Sequence, residues 1–361
     1  MLHIQKTLAL SQTYPLERLG DRDSLLFFDI ETTGFSADSS ALYLIGCLYY
    51  RKEAWHFVQW FADSPQSEIE LLHAFFQFLS NFSTVVHFNG DSFDLPYLQK
   101  RCAHYRLPYD FSALSSIDIY KKIRPCRKWL GLDSLRLKAV ERFLGIQRED
   151  PYHGGALIAV YHSYLRHKDE QRLHCLLLHN EEDLLGMLSI LPILCYPDLE
   201  TAHFRLSSQS LPHTEEASPS LFLQAESDIY VPKPFSASLP NGSLSMEQNR
   251  LTLSLSLFEG TLKYFYPDYK NYYYLPAEDR AIHKSVGEFV DKSARKRATA
   301  QTGYQKASGL FLPQLSPILE PVFCEKRASS LTYVPYTEAL LENPQHLSLF
   351  LRHLLSHAEA M

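Results

Sequence analysis

The sequence predicts an α/β domain of five strands flanked by helices, followed by a smaller, mainly β domain with one or two helices. Two observations predict the first domain: short apolar runs bounded by turn residues, and apolar residues at helical spacing between the later runs. Another observation predicts the second domain, because beyond residue 228 leucines alternate with Ser and Thr as in half-buried strands. At 361 residues, 45% of them apolar, the chain is long enough for two cores.

The domain boundaries follow from changes in composition along the chain. Residues 1–22 show no clear period and are interpreted as a lead-in without an assigned function. Residues 23–196 contain the alternating strands and helices, and residues 197–227 turn to Ser, Pro, His and Glu, which is typical of a linker. The second domain is therefore expected over residues 228–361. A possible role of this domain is to hold nucleic acid.

In the first domain, an antiparallel meander is predicted from three strands, at residues 25–31, 42–50 and 55–61. Later elements alternate between helix and strand: a helix at 69–79, a strand at 85–88, a helix that begins near Asp91 or Ser92, a strand at 117–119, and helices at about 133–144, 155–166 and 170–194. The second domain is expected to hold strands at 251–257, 262–266 and 272–275, a helix at 281–297 and a terminal helix at 347–355.

Composition excludes several classes of protein. The formal charge of −6 argues against a protein whose whole surface binds nucleic acid, although residues 261–310 carry nine Lys or Arg against five Asp or Glu. Six scattered cysteines form no C-x-x-C pair, so neither a zinc knuckle nor a disulfide framework is predicted. We find no signal-peptide pattern and no run of eighteen apolar residues, and we expect a cytoplasmic protein without a membrane partner.

Acidic residues recur at the ends of the predicted elements. Asp29 and Glu31 lie two apart on the opening strand, so their side chains project from one face. Asp94 falls in the first turn of a helix, and His179 and Asp183 are four apart on another helix, facing the same way. Carboxylate oxygens in such a group are suitable ligands for Mg²⁺ or Mn²⁺.

Three motifs in order carry a resemblance to a known family. They are D-x-E at Asp29 to Glu31, N-G-x-x-F-D at Asn89 to Asp94, and H-N-x-x-D at His179 to Asp183. This order resembles the DEDD exonucleases of the ribonuclease H-like superfamily, and in particular the YprB-type ribonuclease H-like family, over about residues 24–195. The resemblance implies a ribonuclease H-like five-stranded mixed sheet and hydrolysis of phosphodiester bonds, usually from a 3′ end. It also implies two divalent cations, Mg²⁺ or Mn²⁺, held by Asp29, Glu31, Asp94 and Asp183.

The resemblance further implies a division of roles among the acids. Asp29 would bridge the two cations, Glu31 and Asp183 would complete one of them, and Asp94 would lie on the other side. An imidazole with an ordinary pKa near 6.5 can take a proton from water at neutral pH, so His179 is the predicted general base. His179 stands at the spacing where proofreading-type relatives have Tyr. The expected partner is a single-stranded end of DNA or RNA, and the sequence does not choose between the two sugars.

Other interpretations stay open at this point. The rival function is a catalytically silent protein that binds nucleic acid or acts as a scaffold with the same fold. Asp91, Glu181 and Glu182 are interpreted as turn or helix-surface residues, and Asp118 as either a support for the acids or a structural hydrogen-bonding group. Strand packing or stacking on bases could explain seven aromatic residues near the basic segment, with packing preferred: Tyr264, Phe265, Tyr266, Tyr269, Tyr272, Tyr273 and Tyr274.

Overall fold

The computed structural model describes residues 1–147, 154–211 and 219–360. The chain divides into two compact units, one of Met1–Arg127 with Gly131–Pro197 and one of Lys128–Leu130 with Asp198–Met361.

A mixed six-stranded sheet forms the centre of the first unit, in the order β1-β4-β3-β2-β5-β6. The neighbours β2, β5 and β6 pair in parallel, and the other pairs are antiparallel. The mixed sheet flanked by helices is confirmed, with six strands rather than the five expected. The strands are β1 (Leu2–Leu8), β2 (Leu25–Thr32), β3 (Leu42–Arg51), β4 (Ala54–Phe61), β5 (Thr84–His87) and β6 (Ser115–Asp118).

The additional strand β1 lies in the segment interpreted as a lead-in. It pairs with β4 along its whole length, from Leu2 opposite Phe61 to Leu8 opposite Trp55. Every second residue of β1 is partly buried, but one of these inward positions holds Lys6, which interrupts the apolar alternation. Lys6 forms an ion pair with Glu181. A long-range ion pair therefore replaces the apolar contact from which the strand could have been predicted.

Helices cover both faces of this sheet. On one face Phe28 of β2 meets Phe75 of α1, with ring centroids 5.7 Å apart, and α7 packs against the other. Helix α7 ends at Ser189, short of the predicted 194, because Pro192 lacks an N–H group and a 3₁₀ turn follows. The helices are α1 (Glu68–Leu79), α2 (Asp94–His104), α3 (Ile119–Ile123), α4 (Arg127–Leu130), α5 (Leu137–Leu144), α6 (Gly154–His167), α7 (Glu170–Ser189) and α8 (Cys195–Asp198).

Gly46 in the middle of β3 permits the close packing of α7. A Cβ atom at this position would lie 2.0 Å from Oδ1 of Asn180 and 2.6 Å from Cδ1 of Leu184, both on α7. Any side chain at residue 46 would push the helix away from the sheet. Glycine inside a strand often marks such an approach.

Among the described residues, one segment, Glu170–Thr201, has the length and apolar composition of a helix that crosses a membrane. In its most apolar part, 56% is buried inside the protein. Buried core helices commonly have this composition.

The second unit is mainly β, as expected. One six-stranded sheet has the order β18-β9-β10-β11-β8-β7, and two three-stranded sheets have the orders β12-β16-β17 and β14-β13-β15. Leu251, Leu253 and Leu255 are buried, which confirms the predicted alternation. Its strands are β7 (Phe204–Ser210), β8 (Ser220–Ser227), β9 (Phe235–Leu239), β10 (Gly242–Glu247), β11 (Arg250–Ser256), β12 (Phe258–Phe265), β13 (Tyr272–Leu275), β14 (Arg280–His283), β15 (Lys296–Arg297), β16 (Tyr304–Gln314), β17 (Thr332–Pro335) and β18 (Glu359–Ala360). Its helices are α9 (Lys284–Gly287), α10 (Glu338–Glu342) and α11 (Pro344–Ser356).

The linker predicted over residues 197–227 contains two strands of the large sheet. Residues 212–218 of that segment lie outside the described part of the chain. In β8 the apolar Leu221, Leu223 and Ala225 face the core, while polar residues occupy most of the alternate positions. The Ser-rich composition therefore reflects the outer face of strands rather than a linker.

The helix predicted over 281–297 is wrong. Arg280–His283 pairs with β13, and only Lys284–Gly287 is helical. Asp279, which lies just before the predicted helix, accepts hydrogen bonds from the hydroxyls of Tyr274 and Tyr304 and pairs with Lys306. Pairing with a tyrosine-rich strand thus overrides the helical spacing.

The aromatic residues around the basic segment contact one another. The rings of Tyr266 and Tyr272 stack with centroids 4.0 Å apart, and Phe265 meets Tyr304 at 5.3 Å. Strands β12 and β13 belong to different sheets, so the turn between them does not close a hairpin. These ring-to-ring contacts are the ones that strand packing, rather than stacking on bases, predicts for the aromatic residues.

We expect Gly46→Ala to destabilise the protein by about 1–3 kcal/mol, because the added methyl group overlaps Asn180 and Leu184. Urea unfolding followed by circular dichroism measures the change. The control is Gly155→Ala in α6, where no described atom lies within 4 Å of the new Cβ. That variant should be stabilised by roughly 0.5–1 kcal/mol. Equal stabilities of the two variants would contradict the packing described for α7.

Candidate active site

Asp29 and Glu31 lie where β2 runs beyond its parallel neighbour. The pairing of β2 with β5 stops at Phe27, so both acids project past the end of that ladder. The register with β3 shifts between Glu31 and Thr32, an irregularity that re-aims side chains at the end of a strand. Tyr43 donates a hydrogen bond of 3.4 Å to Oε2 of Glu31 and helps to orient it.

Helix α7 brings His179 and Asp183 to the same place. Nε2 of His179 is 3.5 Å from Oε1 of Glu31 and 3.7 Å from Oδ2 of Asp183. One ligand atom from each of these residues lies within 4.8 Å of the other two. Glu31 and His179 are buried, with 7% and 4% of their surface exposed. These three side chains could therefore hold a metal ion together.

A row of paired residues across the sheet fixes Asp29. Asp29 lies opposite Gly46, and Gly46 lies opposite Gln59. Asn180 occupies the space above Gly46, donates to Oδ2 of Asp29 at 2.8 Å and accepts from Nε2 of Gln59 at 2.8 Å. A fully buried amide with both ends satisfied holds the Asp29 carboxylate in one orientation.

Asp94 is the first residue of α2 and reaches back to β2. The backbone N–H groups of Asp94 itself and of Ile30 donate to its carboxylate. Burial raises the pKa of Asp94 to about 7 in spite of these hydrogen bonds, and the negative charges of Asp118 and Asp183 add to the increase. Asp94 is therefore electrostatically linked to the other acids.

The four carboxylates repel one another. Burial raises the pKa of Asp29 well above its ordinary value, followed in effect by the charges of Asp183, Glu31 and Asp94, while the Asn180 hydrogen bond lowers it. Buried carboxylates at such density are stabilised by a positive charge among them. Their hard oxygen atoms, with one imidazole nitrogen, fit Mg²⁺ or Mn²⁺.

A cleft of about 930 Å³ opens over these residues. Asp29, Glu31, His179 and Asp183 line it, so the structure brings four of the five predicted site residues to one surface. Asp94 is 7% exposed and acts on Asp29 and Asp183 through its charge. Helix α5 and the residues around it form much of the remaining wall.

A second group of ionisable residues, His87, Asp91 and Asp118, has ligand atoms within 4.8 Å of one another. These atoms are already engaged. Asp91 accepts from Lys121 and Ser116 at 2.6 Å each, and Nε2 of His87 lies 2.8 Å from Oγ of Ser116. A metal ion would have to displace an ammonium group, so we assign this cluster a structural role.

Asp118 holds the turn that leads into α2. It accepts from the backbone N–H groups of Asn89 at 2.9 Å and Asp91 at 3.3 Å, and it caps α3 through Lys121 N. Of the two interpretations, the hydrogen bonds favour the structural one, although the turn it fixes is the one that delivers Asp94.

Sequence reasoning missed several residues that shape the site. Asn180 entered the prediction only as part of a motif, although its amide donates a hydrogen bond directly to Asp29. Gly46 could have been found as a glycine inside an apolar strand. Tyr43 carried no signal in the sequence. Helix α5, which also lines the cleft, was predicted as a helix, but its basic residues were given no function.

Comparison with known proteins agrees with this architecture. Residues 26–195 match the model of the RNase_H superfamily. The uncharacterized protein YprB of Bacillus subtilis (strain 168) is 27% identical over 175 residues, which are 47% of this chain and 41% of YprB. The match thus spans less than half of either protein.

Two solved structures share part of the shape. The family B DNA polymerase of Pyrobaculum calidifontis gives a TM-score of 0.39 at 13% identity, over 68% of this chain and 35% of the polymerase chain. The zinc-bound E. coli ExoI–ssDNA complex gives 0.28 at 16% identity, over 56% of this chain and 54% of that chain. Both scores lie below 0.5, so the likeness is limited.

The raised pKa of Asp94 predicts how metal-free protein responds to pH. The folded state binds this proton more tightly than the unfolded chain, so the free energy of unfolding falls as pH rises from 3.8 towards about 7. Asp94→Asn removes the cost of ionising a buried group, and it should make the metal-free protein more stable than wild type at pH 8. The gain is on the order of 1 kcal/mol for each unit of raised pKa.

Urea unfolding in a chelator at pH 5 and pH 8 measures this effect. The control is Asp38→Asn, which changes an exposed carboxylate in the same unit. It should keep the wild-type dependence on pH. If Asp94→Asn also kept that dependence, Asp94 would not be a buried acid that resists ionisation.

Proposed function

Residues 26–195 match the RNase_H superfamily and the chain resembles the YprB-type ribonuclease H-like family, and from this premise we propose that it is a divalent-metal-dependent nuclease. We infer hydrolysis of phosphodiester bonds, acting as an exonuclease from the 3′ end. The observation that carries the proposal is the convergence of Glu31, His179 and Asp183 within 4.8 Å beside Asp29.

The donor atoms fit the metals that this chemistry needs. Asp29, Glu31, Asp94 and Asp183 would hold two divalent cations, Mg²⁺ or Mn²⁺. Cations in such a pair supply a nucleophile at neutral pH and stabilise charge on the attacking and leaving oxygens of an in-line displacement. Asn180 keeps Asp29 oriented for this task, and Tyr43 does the same for Glu31.

His179 is proposed to accept a proton from the attacking water. It is 4% exposed, and its Nε2 faces the oxygens of Glu31 and Asp183 rather than solvent. A positioned base of this kind contributes roughly 10²- to 10⁴-fold to the rate. The same position also suits a metal ligand, and the two roles predict different effects of substitution.

The proposed substrate is a single-stranded end of DNA or RNA. A site built on carboxylates and cations recognises the phosphate backbone, which the two nucleic acids share. Two tests separate this proposal from a silent binding protein and separate the two roles of His179.

We expect Asp29→Asn to reduce Mn²⁺- and Mg²⁺-dependent cleavage of an end-labelled oligonucleotide by at least about 10³-fold, because a metal ligand and its charge are lost. Matched single- and double-stranded DNA and RNA, labelled at either end, also give polarity and substrate. The control is Asp91→Asn, an acid of the structural cluster, which should keep most of the activity. Undiminished cleavage in Asp29→Asn would refute the proposed site. Binding of metal and nucleic acid by wild type without any cleavage would select the silent protein.

Replacing His179 by Ala should lower kcat by roughly 10²- to 10⁴-fold. Mn²⁺ affinity, measured by calorimetry, should change little if His179 is the base. The control is His174→Ala, an exposed histidine on the same helix. A parallel loss of Mn²⁺ affinity in His179→Ala would identify the residue as a ligand instead.

A further inference from the structure

The wall of the cleft formed by α5 carries three basic residues. Arg136 lies immediately before the helix, and Lys138 and Arg142 lie within it. Lys138 and Arg142 are four residues apart, so they share one helical face. All three line the same cleft as Asp29, Glu31, His179 and Asp183.

The two arginines do not neutralise the acids of the site. Both are exposed, and within the described ranges neither guanidinium forms an ion pair with a carboxylate. Nε of Arg142 donates to the carbonyl oxygen of Lys138 at 3.3 Å, and this hydrogen bond uses only one N–H group of the guanidinium. The positive charges of Arg136 and Arg142 are therefore available to a ligand.

The arrangement has a simple electrostatic consequence. A polyanion that reaches the carboxylates meets repulsion until cations occupy the site, so its affinity has to come from another part of the cleft. Basic side chains that line the same cleft can supply it, and guanidinium groups match phosphate oxygens in a bidentate geometry. Basic residues on a helix are more commonly just a solvated face, but these three share a cleft with the candidate active site.

We propose that α5 is the backbone-binding wall of the cleft, where Arg136 and Arg142 hold phosphates next to the one that lies at the acids. This inference rests on the proposed function for its choice of ligand, a single strand of DNA or RNA. Apolar Leu137, Ala139 and Ile146 lie among the basic residues of the wall, so the strand meets alternating charged and apolar surface.

The test measures binding separately from cleavage. A 5′-fluorescein-labelled 20-nucleotide single strand, as DNA and as RNA, is titrated with full-length protein in Ca²⁺ at several salt concentrations between 50 and 200 mM. Ca²⁺ takes oxygen ligands with looser geometry than Mg²⁺, and a gel confirms that the scored probe is intact. Fluorescence anisotropy gives Kd and its dependence on salt.

We expect Arg136→Ala with Arg142→Ala to weaken binding about tenfold or more at the lowest salt. The slope of log affinity against log salt should fall by about 1.4, because each phosphate contact to a single strand contributes roughly 0.7. Replacing both residues by Lys keeps the charge and should keep the slope. The control is Lys100→Ala with Arg166→Ala, two exposed basic residues of the same unit outside the cleft lining, which should change Kd by less than about twofold.

The outcomes distinguish this inference from the proposed function. An unchanged Kd and slope in the Ala pair, or an equal loss in the control pair, overturns the role of α5, even if wild type cleaves nucleic acid. A selective loss in the Ala pair supports it, even if no cleavage occurs in Mg²⁺ or Mn²⁺. Absence of binding by wild type in both DNA and RNA arms overturns the inference as well.

Discussion

The buried amide of Asn180 is the interaction on which the site depends. It lies over Gly46 and joins Asp29 on one side to Gln59 on the other, so three strands and α7 meet at one side chain. A fully buried polar group is costly unless its hydrogen bonds are made, and only one position of α7 makes both of them. That position of the helix also brings two other residues of α7 close to Glu31: His179, one residue before Asn180, and Asp183, three residues after it. The hydrogen bonds that fix the position of α7 therefore also fix the geometry of the candidate metal ligands.

Asp94 is fixed by a separate set of buried polar contacts. Arg101, two turns further along α2, forms a double hydrogen bond of 2.6 Å each with Glu68 at the start of α1. At the other end, Asp118 holds the turn before α2 through backbone N–H groups. With both ends of this segment held, the carboxylate of Asp94 can be kept in a place that raises its own pKa. Burial of an acid near other acids is unfavourable, so contacts with the surrounding structure have to hold Asp94 in this position.

The sequence predicted the parts of the site that depend on local spacing. Two acids two apart on a strand, and a histidine four before an aspartate on a helix, share a face whatever the rest of the chain does. The parts it did not predict depend on contacts between distant residues. Strand β1 was not predicted because Lys6, which forms an ion pair with Glu181, interrupts its apolar alternation. The segment Arg280–His283 pairs with a tyrosine-rich strand where a helix was predicted. Gly46 shows the same limit, because its importance appears only when α7 lies over it. The resemblance to the YprB-type family is confirmed, whereas the roles assigned to the individual acids stay predictions.

Acidic and basic side chains line the same cleft, and they come from different elements of the chain. If basic side chains lay in direct contact with the carboxylates, they would neutralise them and lower their affinity for divalent cations. Arg136 and Arg142 line the same cleft, where they can attract a polyanion while the acids stay available to cations. Because the acids come from β2, α2 and α7 while the basic residues come from α5, the two walls can vary independently in sequence. The proposed metal site and the proposed phosphate-binding wall thus share one cleft for ligands of opposite charge.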